Sequence, residues 1–258
     1  MNIVDKFNLK GKCSIITGGA GDLGFVMAEG LAQAKSNIII ADTNSEKIQE
    51  AVNKLKNYDV RVIGLEIDIT NEADVKKLRE DSVEQFGKID VLINCAGILR
   101  HSNFIETSLK DFTDTMNVNV TGTFLNTREI GKQMIKQGSG SIINIASMSG
   151  QIVNTPQCHV AYNVSKAAVL HMTKCTAAEW AQYGIRANSI SPGYINSGMA
   201  VPMFEEGGEM VDRWMSLSPM KRPGTADELV GAVLYLASDA STFTNGTDIL
   251  IDGAYSVW

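Results

Sequence analysis

Tyr162 and Lys166 are the two residues whose types and spacing most directly suggest chemistry. They are four positions apart in a helix-like stretch, so their side chains share one face of a helix. A free phenol has a pKa of about 10, which is too high for a base at neutral pH. A neighbouring ammonium group favours the phenolate, so a tyrosine beside a lysine can accept a proton from an alcohol. Such pairs also arise by chance, and the prediction therefore depends on their surroundings.

Small and polar residues follow several apolar runs and could surround this pair. Ser147 and Ser149 follow one run, Asn94-Cys95-Ala96-Gly97 closes another, and Pro192-Gly193 follows a third. The carboxyl ends of parallel strands lie at one edge of a sheet, where ligands bind. We therefore expect these residues to meet the Tyr162–Lys166 face in one site.

A glycine-rich turn precedes the first helix-like segment. The turn reads Thr17-Gly18-Gly19-Ala20-Gly21-Asp22-Leu23-Gly24. Glycines let the backbone approach a pyrophosphate, and the N-terminus of the following helix offers unpaired N–H groups and a positive dipole end. Taken alone, the glycines are equally compatible with a tight structural turn.

Asp42, at the end of the second apolar run, strengthens the phosphate interpretation. A carboxylate there can accept hydrogen bonds from ribose hydroxyls and would repel a 2′-phosphate. No arginine or lysine occupies positions 43–45, so we expect NAD rather than NADP. The alternative is that Asp42 only caps its own turn.

Short β-branched runs alternate with longer helix-like segments along the chain. Several runs are apolar almost throughout, which is typical of strands covered by helices on both faces. The alternation predicts an α/β fold, a doubly wound parallel sheet in a single domain over residues 1–258. The predicted strands are Cys13–Thr17, Asn37–Ala41, Val60–Glu66, Val91–Asn94, Ser141–Ala146, Arg186–Ser191 and Asp248–Ile251. The predicted helices are Leu23–Ala34, Ser45–Lys56, Asn71–Phe86, Leu109–Gln137, Cys158–Gln182 and Ala226–Ser238. Residues 194–223 lack clear periodicity, and we expect them to form a substrate lid.

Composition excludes several classes of protein. A hydrophobic fraction of 44% and a charged fraction of 20% are ordinary for a globular domain. The net charge of −6, without a long basic run, argues against a nucleic-acid partner. No stretch approaches the roughly 20 apolar residues that cross a bilayer, and the first residues lack the pattern of a signal peptide. With four scattered cysteines, these features indicate a cytoplasmic protein with reduced thiols and no membrane partner.

Two other chemistries find little support. His171 and Cys175 have the i, i+4 spacing of a metal pair, but no third ligand follows at a recognisable spacing, so we expect no metal. No serine stands in a Gly-x-Ser-x-Gly motif, which argues against a hydrolase.

Together, the motifs resemble the short-chain dehydrogenase/reductase family, from the Thr17–Gly24 turn to Asp252-Gly253. The resemblance implies a Rossmann-type fold and hydride transfer between a nicotinamide dinucleotide and an alcohol or ketone. It implies that Tyr162 is the general acid/base, that Lys166 lowers its pKa and holds the nicotinamide ribose, and that Ser147 bonds the reacting oxygen. It also places a relay water on Asn119. The cofactor residues so implied are Gly18, Asp22, Leu23, Asp42, Asp68, Ile69, Asn94, Ala96, Gly97, Tyr162, Lys166, Pro192, Gly193, Ile195 and Ser197.

The sequence departs from the family pattern in two places. Asp22 replaces the middle glycine of the turn, and a carboxylate beside a pyrophosphate weakens binding unless it points away and caps the helix. The usual spacing to the tyrosine selects Ser149 as the catalytic serine, whereas the strand-end motif Ile-Ala-Ser selects Ser147. We expect Ser147, because the loop 151–157 is longer than usual. That loop is similar to members acting on sugar alcohols and ketoses.

Amide, imidazole and phenol groups near this loop could read several hydroxyls, and such a site rejects analogues that lack them. Each of these residues could instead be a solvated loop residue. The predicted substrate residues are Ser147, Ser149, Asn154, Gln157, His159, Tyr162 and Tyr194. We expect an NAD-dependent polyol or sugar-alcohol dehydrogenase. The alternatives are a hydroxysteroid or 3-oxoacyl reductase of the same family and a catalytically silent dinucleotide-sensing module. The two longest helical segments carry apolar residues on more than one face, and family members usually pair them, so we expect a homodimer or homotetramer.

Overall fold

A computed structural model describes residues 2–258, apart from the side chain of Met199. Within that part of the chain, seven strands form one parallel sheet in the order β3-β2-β1-β4-β5-β6-β7. All seven predicted strands are present, and the observed ends differ from the predicted ones by two residues at most. The strands are β1 (Cys13–Thr17), β2 (Asn37–Asp42), β3 (Val62–Glu66), β4 (Val91–Asn94), β5 (Gly140–Ile145), β6 (Ile185–Pro192) and β7 (Asp248–Ile251).

Helices cover both faces of the sheet, as predicted. They are α1 (Asp22–Gln33), α2 (Ser45–Leu55), α3 (Glu72–Phe86), α4 (Leu109–Met116), α5 (Thr123–Gln137), α6 (Val160–Trp180), α7 (Val201–Glu206), α8 (Glu209–Leu217) and α9 (Asp227–Ala237). Side chains of α1, α2 and α9 belong to the core on one face, and those of α3, α5 and α6 to the core on the other. None of the helices within the described residues is long and apolar enough to span a membrane.

The residues of strand β2 are apolar at successive positions instead of alternating with polar residues, and the structure gives the reason. Successive side chains of a strand point to opposite faces. Ile38 and Ile40 pack in the core with α1, whereas Ile39 and Ala41 pack in the core with α5. Because both faces are buried, both sets of positions must be apolar.

Two segments differ from the predicted pattern. The predicted helix Leu109–Gln137 is interrupted by a π-helical turn over Asn117–Gly122, a feature often found at functional sites. Residues 194–223 contain α7 and α8, separated by Gly207 and Gly208, both of which have positive φ. Helices of one to two turns are too short to show a clear period in the sequence, so this segment is more regular than expected.

The order of the strands locates the site. The chain moves outward from β1 to β3 in one direction and from β4 to β7 in the other. Connections therefore diverge between β1 and β4, and a crevice opens beyond their carboxyl ends. The glycine-rich turn after β1 and the loop after β4 both line this crevice.

Candidate active site

One cavity of about 750 Å³ occupies the crevice. The glycine-rich turn lies at one end and α6 with Tyr194 and Trp214 at the other, and Gly198 reaches back to the glycine-rich turn. Nearly all predicted site residues line it: Gly18, Asp22, Leu23, Asp42, Asp68, Ile69, Ala96, Gly97, Ser147, Ser149, Asn154, Gln157, His159, Tyr162, Lys166, Pro192, Gly193, Tyr194, Ile195 and Ser197. The side chains of Asn94 and Asn119 do not.

The Tyr162–Lys166 pair lies on the face of α6 that borders the cavity. Lys166 Nζ is 5.5 Å from the centre of the Tyr162 ring and donates a 2.8 Å hydrogen bond to the carbonyl oxygen of Ile145. That bond fixes the ammonium group at the end of β5. Burial lowers the pKa of Lys166 to about 8, although the neighbouring Cys95 opposes the change.

The pKa of Tyr162 corrects one expectation. Burial raises it to about 12, the hydrogen bond with Ser147 lowers it, and Cys95 raises it further. The expected lowering by Lys166 is not found in the protein alone, because the penalty of burying a phenolate dominates. A further positive charge near Tyr162 would favour its phenolate and oppose the effect of burial.

The geometry distinguishes the two candidate serines. Ser147, not Ser149, is the serine whose hydroxyl lowers the pKa of Tyr162. The Ser147 hydroxyl also accepts a 3.1 Å bond from the backbone N–H of Ser149. Ser149 is buried nearby and lines the cavity. The hydroxyl paired with Tyr162 is thus that of Ser147, the serine selected by the strand-end motif.

Asn119 lies in the π-helical turn, and its side chain braces the site rather than lining it. The Nδ2 group donates to the Ile98 carbonyl and to Ser165 Oγ, both at 2.9 Å, while Oδ1 accepts from the Ile98 N–H at 2.8 Å. The side chain therefore holds the loop after β4 against α6. Only the carbonyl oxygen of Asn119, which accepts from Thr123 Oγ1, could serve the predicted relay.

The side chain of Asn94, a predicted cofactor residue, lies beneath the cavity. Its Nδ2 group donates to Thr127 Oγ1 at 3.1 Å and to Asn144 Oδ1 at 2.8 Å. Asn144 in turn donates to Thr173 on α6 at 2.8 Å. The pleat turns Asn94 toward α5 and α6, where it ties β4 to β5 instead of contacting a ligand.

The turn after β1 fits a pyrophosphate. Gly18 has a φ of +65°, and a Cβ there would lie 2.8 Å from the Ala96 Cα. At Gly97, a Cβ would lie 3.6 Å from Lys166 Nζ. The N-cap of α1 is Gly21, which has no side chain to occupy the first N–H groups of the helix. These features leave the first N–H groups of α1 without a capping side chain, and phosphate oxygens bind such groups. The residues present therefore suit a dinucleotide, with Asp22 as the exception.

Asp42 both lines the cavity and caps its turn. One carboxylate oxygen accepts from the N–H groups of Thr43 at 2.8 Å and Asn44 at 3.3 Å, and the other accepts from Ala20 at 3.2 Å. A carboxylate has about four acceptor positions, so capacity remains for a ribose hydroxyl. The capping interpretation and the ribose interpretation are compatible.

The opposite end of the cavity is held together by side chains. The Tyr194 hydroxyl accepts from Gln157 at 2.7 Å and from Asn154 at 3.4 Å. Gln157 accepts a 2.8 Å bond from the buried indole of Trp214, whose ring stacks on Tyr194 with centres 4.2 Å apart. These contacts pin α8 to the loop before α6.

His159 is a buried neutral imidazole beside Tyr162. Burial, helped by the nearby His101, lowers its pKa to about 4. Its Nε2 atom is 3.2 Å from Asn154 Oδ1, and its ring meets the Tyr162 ring edge-on with centres 5.6 Å apart. Among the described residues, its Nδ1 atom has no hydrogen-bond partner.

Several lining residues were missed by the sequence analysis, notably Arg100, His101 and Asp114. Arg100 lies 3.4 Å from Asp111 and 3.6 Å from Asp114. The sequence could have indicated two of them, because Arg100 and His101 closely follow Gly97 in the loop after β4.

No cluster of three His, Cys, Asp or Glu side chains within residues 2–258 could hold a metal.

Comparison with known proteins places the chain in a family. The family model described as Enoyl-(Acyl carrier protein) reductase, one of the short-chain dehydrogenases, matches residues 18–256. The NADP-dependent mannitol dehydrogenase of Hypocrea jecorina is 38% identical, with 98% of this chain and 96% of that protein covered. The galactitol 2-dehydrogenase of Rhizobium johnstonii is 36% identical over the whole of both chains, 100% of each. The crystal structure of a gluconate 5-dehydrogenase from Burkholderia cenocepacia, in complex with NADP and tartrate, is similar with a TM-score of 0.93, 32% identity and 100% of both chains covered. The chain belongs to the short-chain dehydrogenase/reductase family.

Proposed function

We propose that the protein transfers hydride between a nicotinamide dinucleotide, preferably NAD, and a secondary hydroxyl of a neutral polyol, which becomes a ketose. The observation that carries the proposal is one continuous cavity. The glycine-rich turn Thr17–Gly24, called the cradle below, lies at one end, and the Ser147–Tyr162–Lys166 group lies beside neutral polar side chains at the other. The relatives named as mannitol and galactitol dehydrogenases support the substrate class.

Ser147, Tyr162 and Lys166 have different roles in oxidation of the substrate. Ser147 donates a hydrogen bond to the reacting oxygen, and Tyr162 accepts the proton of the hydroxyl as the C–H hydride leaves. A bound oxidised dinucleotide supplies the hydride acceptor and a positive charge. That charge, with Lys166, favours the phenolate against the burial that otherwise raises the pKa of Tyr162. In the direction of reduction, Tyr162 returns the proton to the carbonyl oxygen.

The charges of the cavity favour a neutral substrate over an acid or a phosphate ester. Among the described lining residues, Arg100 and Lys166 are the only arginine and lysine. Lys166 bonds to the Ile145 carbonyl, and Arg100 faces the carboxylates of Asp111 and Asp114. Neither cation is free of partners, whereas amide, imidazole and phenol groups are well placed for hydroxyls.

The preference for NAD rests on Asp42 and on the absence of a cation at positions 43–45. A carboxylate at the adenosine end repels a 2′-phosphate. The choice varies among relatives: the one from Hypocrea jecorina is named as NADP-dependent, whereas a xylitol dehydrogenase of similar structure is named as NAD+-bound.

A substrate panel tests the proposal. Mannitol, galactitol and xylitol are compared with gluconate, a hydroxysteroid and a 3-hydroxyacyl thioester, each with NAD and NADP, by following absorbance of the reduced dinucleotide. We expect kcat/KM for the best neutral polyol to exceed that for gluconate by about tenfold or more, equivalent to about 1.4 kcal/mol. Preference for gluconate, the steroid or the thioester would contradict the proposed substrate. Turnover of no substrate, with dinucleotide binding intact, would favour a sensing module.

We also propose that the chain forms a homodimer or homotetramer. Leu109, Phe124 and Val164 are exposed apolar residues on α4, α5 and α6, the helices predicted to pair. Sedimentation velocity measures the assembly directly. Particles of only 27.9 kDa would contradict it.

A further inference from the structure

Asp22 stands where the family pattern described above predicts a glycine, and it connects two separate parts of the molecule. It is the first residue of α1. Its Oδ2 atom accepts a 2.8 Å hydrogen bond from the backbone N–H of Gly198, which lies within residues 194–223. The carboxylate thus bridges the glycine-rich turn and the start of the segment that covers the site.

The contact completes a helical turn that has no cap of its own. Gly198 begins a short 3₁₀ turn over Gly198–Ala200, which continues into α7. Its N-cap residue, Ser197, makes no capping side-chain bond, and the N–H of Gly198 would otherwise lack an acceptor among the described residues. Asp22 therefore caps this turn from across the crevice, a role normally taken by a residue next to the helix.

The bridge lies at the phosphate end of the cavity. Gly18, Asp22, Ser197, Gly198 and Ala200 all line this cavity, so the Asp22–Gly198 bond joins two parts of its lining. A dinucleotide also carries negative phosphates, which the Asp22 carboxylate repels.

We propose that Asp22 is a latch that holds residues 198–206 closed over the cradle and limits how fast the dinucleotide enters and leaves. The identity of that ligand rests on the proposed function, but the latch itself does not. Its hydrogen bond slows opening of the segment, and its charge independently weakens binding of the dinucleotide.

Hydrogen exchange of the protein without ligand tests the latch. Asp22→Ala removes both the bond and the charge, whereas Asp22→Asn keeps an acceptor and removes the charge. Asp22→Gly installs the residue that the family pattern predicts at this position. Glu46→Ala is the matched control, because Glu46 is an exposed acidic residue in the first turn of α2. We expect amides of residues 198–206 to exchange about tenfold faster in the Ala and Gly variants, and at nearly the wild-type rate in the Asn and Glu46 variants. Unchanged exchange in folded Ala and Gly variants would overturn the latch.

Stopped-flow fluorescence of NADH then tests its consequence. We expect NADH to dissociate about fivefold faster from the Ala and Gly variants than from the wild type. In the Asn variant, we expect the Kd of NADH to fall about threefold, because the bond persists while the repulsion is gone. Faster exchange without faster dissociation would overturn the gating role. Failure of the wild type to bind either NADH or NADPH would instead overturn the proposed function and leave the exchange result standing.

Discussion

The two ends of the cavity are built in different ways. At the cradle, the wall is backbone: Gly18 lies against Ala96, Gly97 lies close to the Asn119 side chain, and α1 begins with an uncapped turn. At the opposite end, the wall consists of side chains that bond to one another, chiefly Tyr194 and Trp214. A backbone wall depends on a few glycines and on strand order, whereas a side-chain wall depends on every partner in its network. The first arrangement suits a ligand shared by many proteins, and the second suits a ligand specific to one of them.

The ends also differ in charge. Carboxylates of Asp22, Asp42 and Asp68 line the cradle end. At the other end, burial lowers the pKa of His159 to about 4 and raises the pKa of Tyr194, so both are neutral near pH 7. These two groups therefore offer a substrate neutral hydrogen bonds, and loss of one of them should affect the substrate and not the dinucleotide.

Tyr162→Phe should have the largest effect and should separate chemistry from binding. The variant keeps the ring against His159 and loses the group that takes the proton, so we expect kcat to fall by about 10³-fold. The Kd of the dinucleotide, measured by fluorescence titration, should stay within about twofold. In the wild type, oxidation should accelerate as pH rises, because Tyr162 must lose its proton before it can accept one.

Substantial residual turnover in Tyr162→Phe would contradict the assignment of the base. A pH profile with the same rise in the variant would show that another group titrates. Loss of dinucleotide binding would show that the two ends are not independent.

Gln157→Leu should damage the substrate end alone. It removes the donor to Tyr194 and leaves the buried Trp214 indole unpaired, which costs about 1–3 kcal/mol. For a chain of this size we expect Tm to fall by roughly 2–9 °C and KM for the polyol to rise about tenfold. Gln182→Leu is the control, because Gln182 is exposed. An equal loss of NADH affinity would contradict the separation of the two ends.

The sequence predicted the position of the cradle end well, but it predicted the directions and pKa values of individual side chains less well. The Thr17–Gly24 turn, Asp42 and the Asn94–Gly97 loop were expected at one edge of the sheet, and strand order brings them there. That success has a physical basis, since glycine turns and alternating strands and helices are local patterns that fix where parallel strands end.

The departures concern properties that local patterns do not contain. Asn94 ends its strand as predicted, but the pleat directs its side chain away from the cavity. Asn119 lies in the π-helical turn, and its side chain bonds to the loop after β4 instead of lining the cavity. The raised pKa of Tyr162 follows from burial, which depends on the whole fold. The partner of Asp22 is far away in sequence, at Gly198, and no spacing could have indicated it.

Asp42→Asn should have the smallest effect of these variants. It tests whether the Asp42 carboxylate makes the cradle end prefer NAD to NADP. Asparagine keeps an acceptor for the turn N–H groups that Asp42 now bonds, but it removes the charge that would repel a 2′-phosphate. We expect the ratio of kcat/KM with NADP to that with NAD to rise about fivefold, equivalent to about 1 kcal/mol. Adding Thr43→Arg should raise it further by supplying a cation for the phosphate. Polyol KM should not move in either variant, because Gln157 and Tyr194 are untouched. An unchanged ratio in both variants would mean that Asp42 only caps its turn, and the adenosine end would then owe its selectivity to other residues.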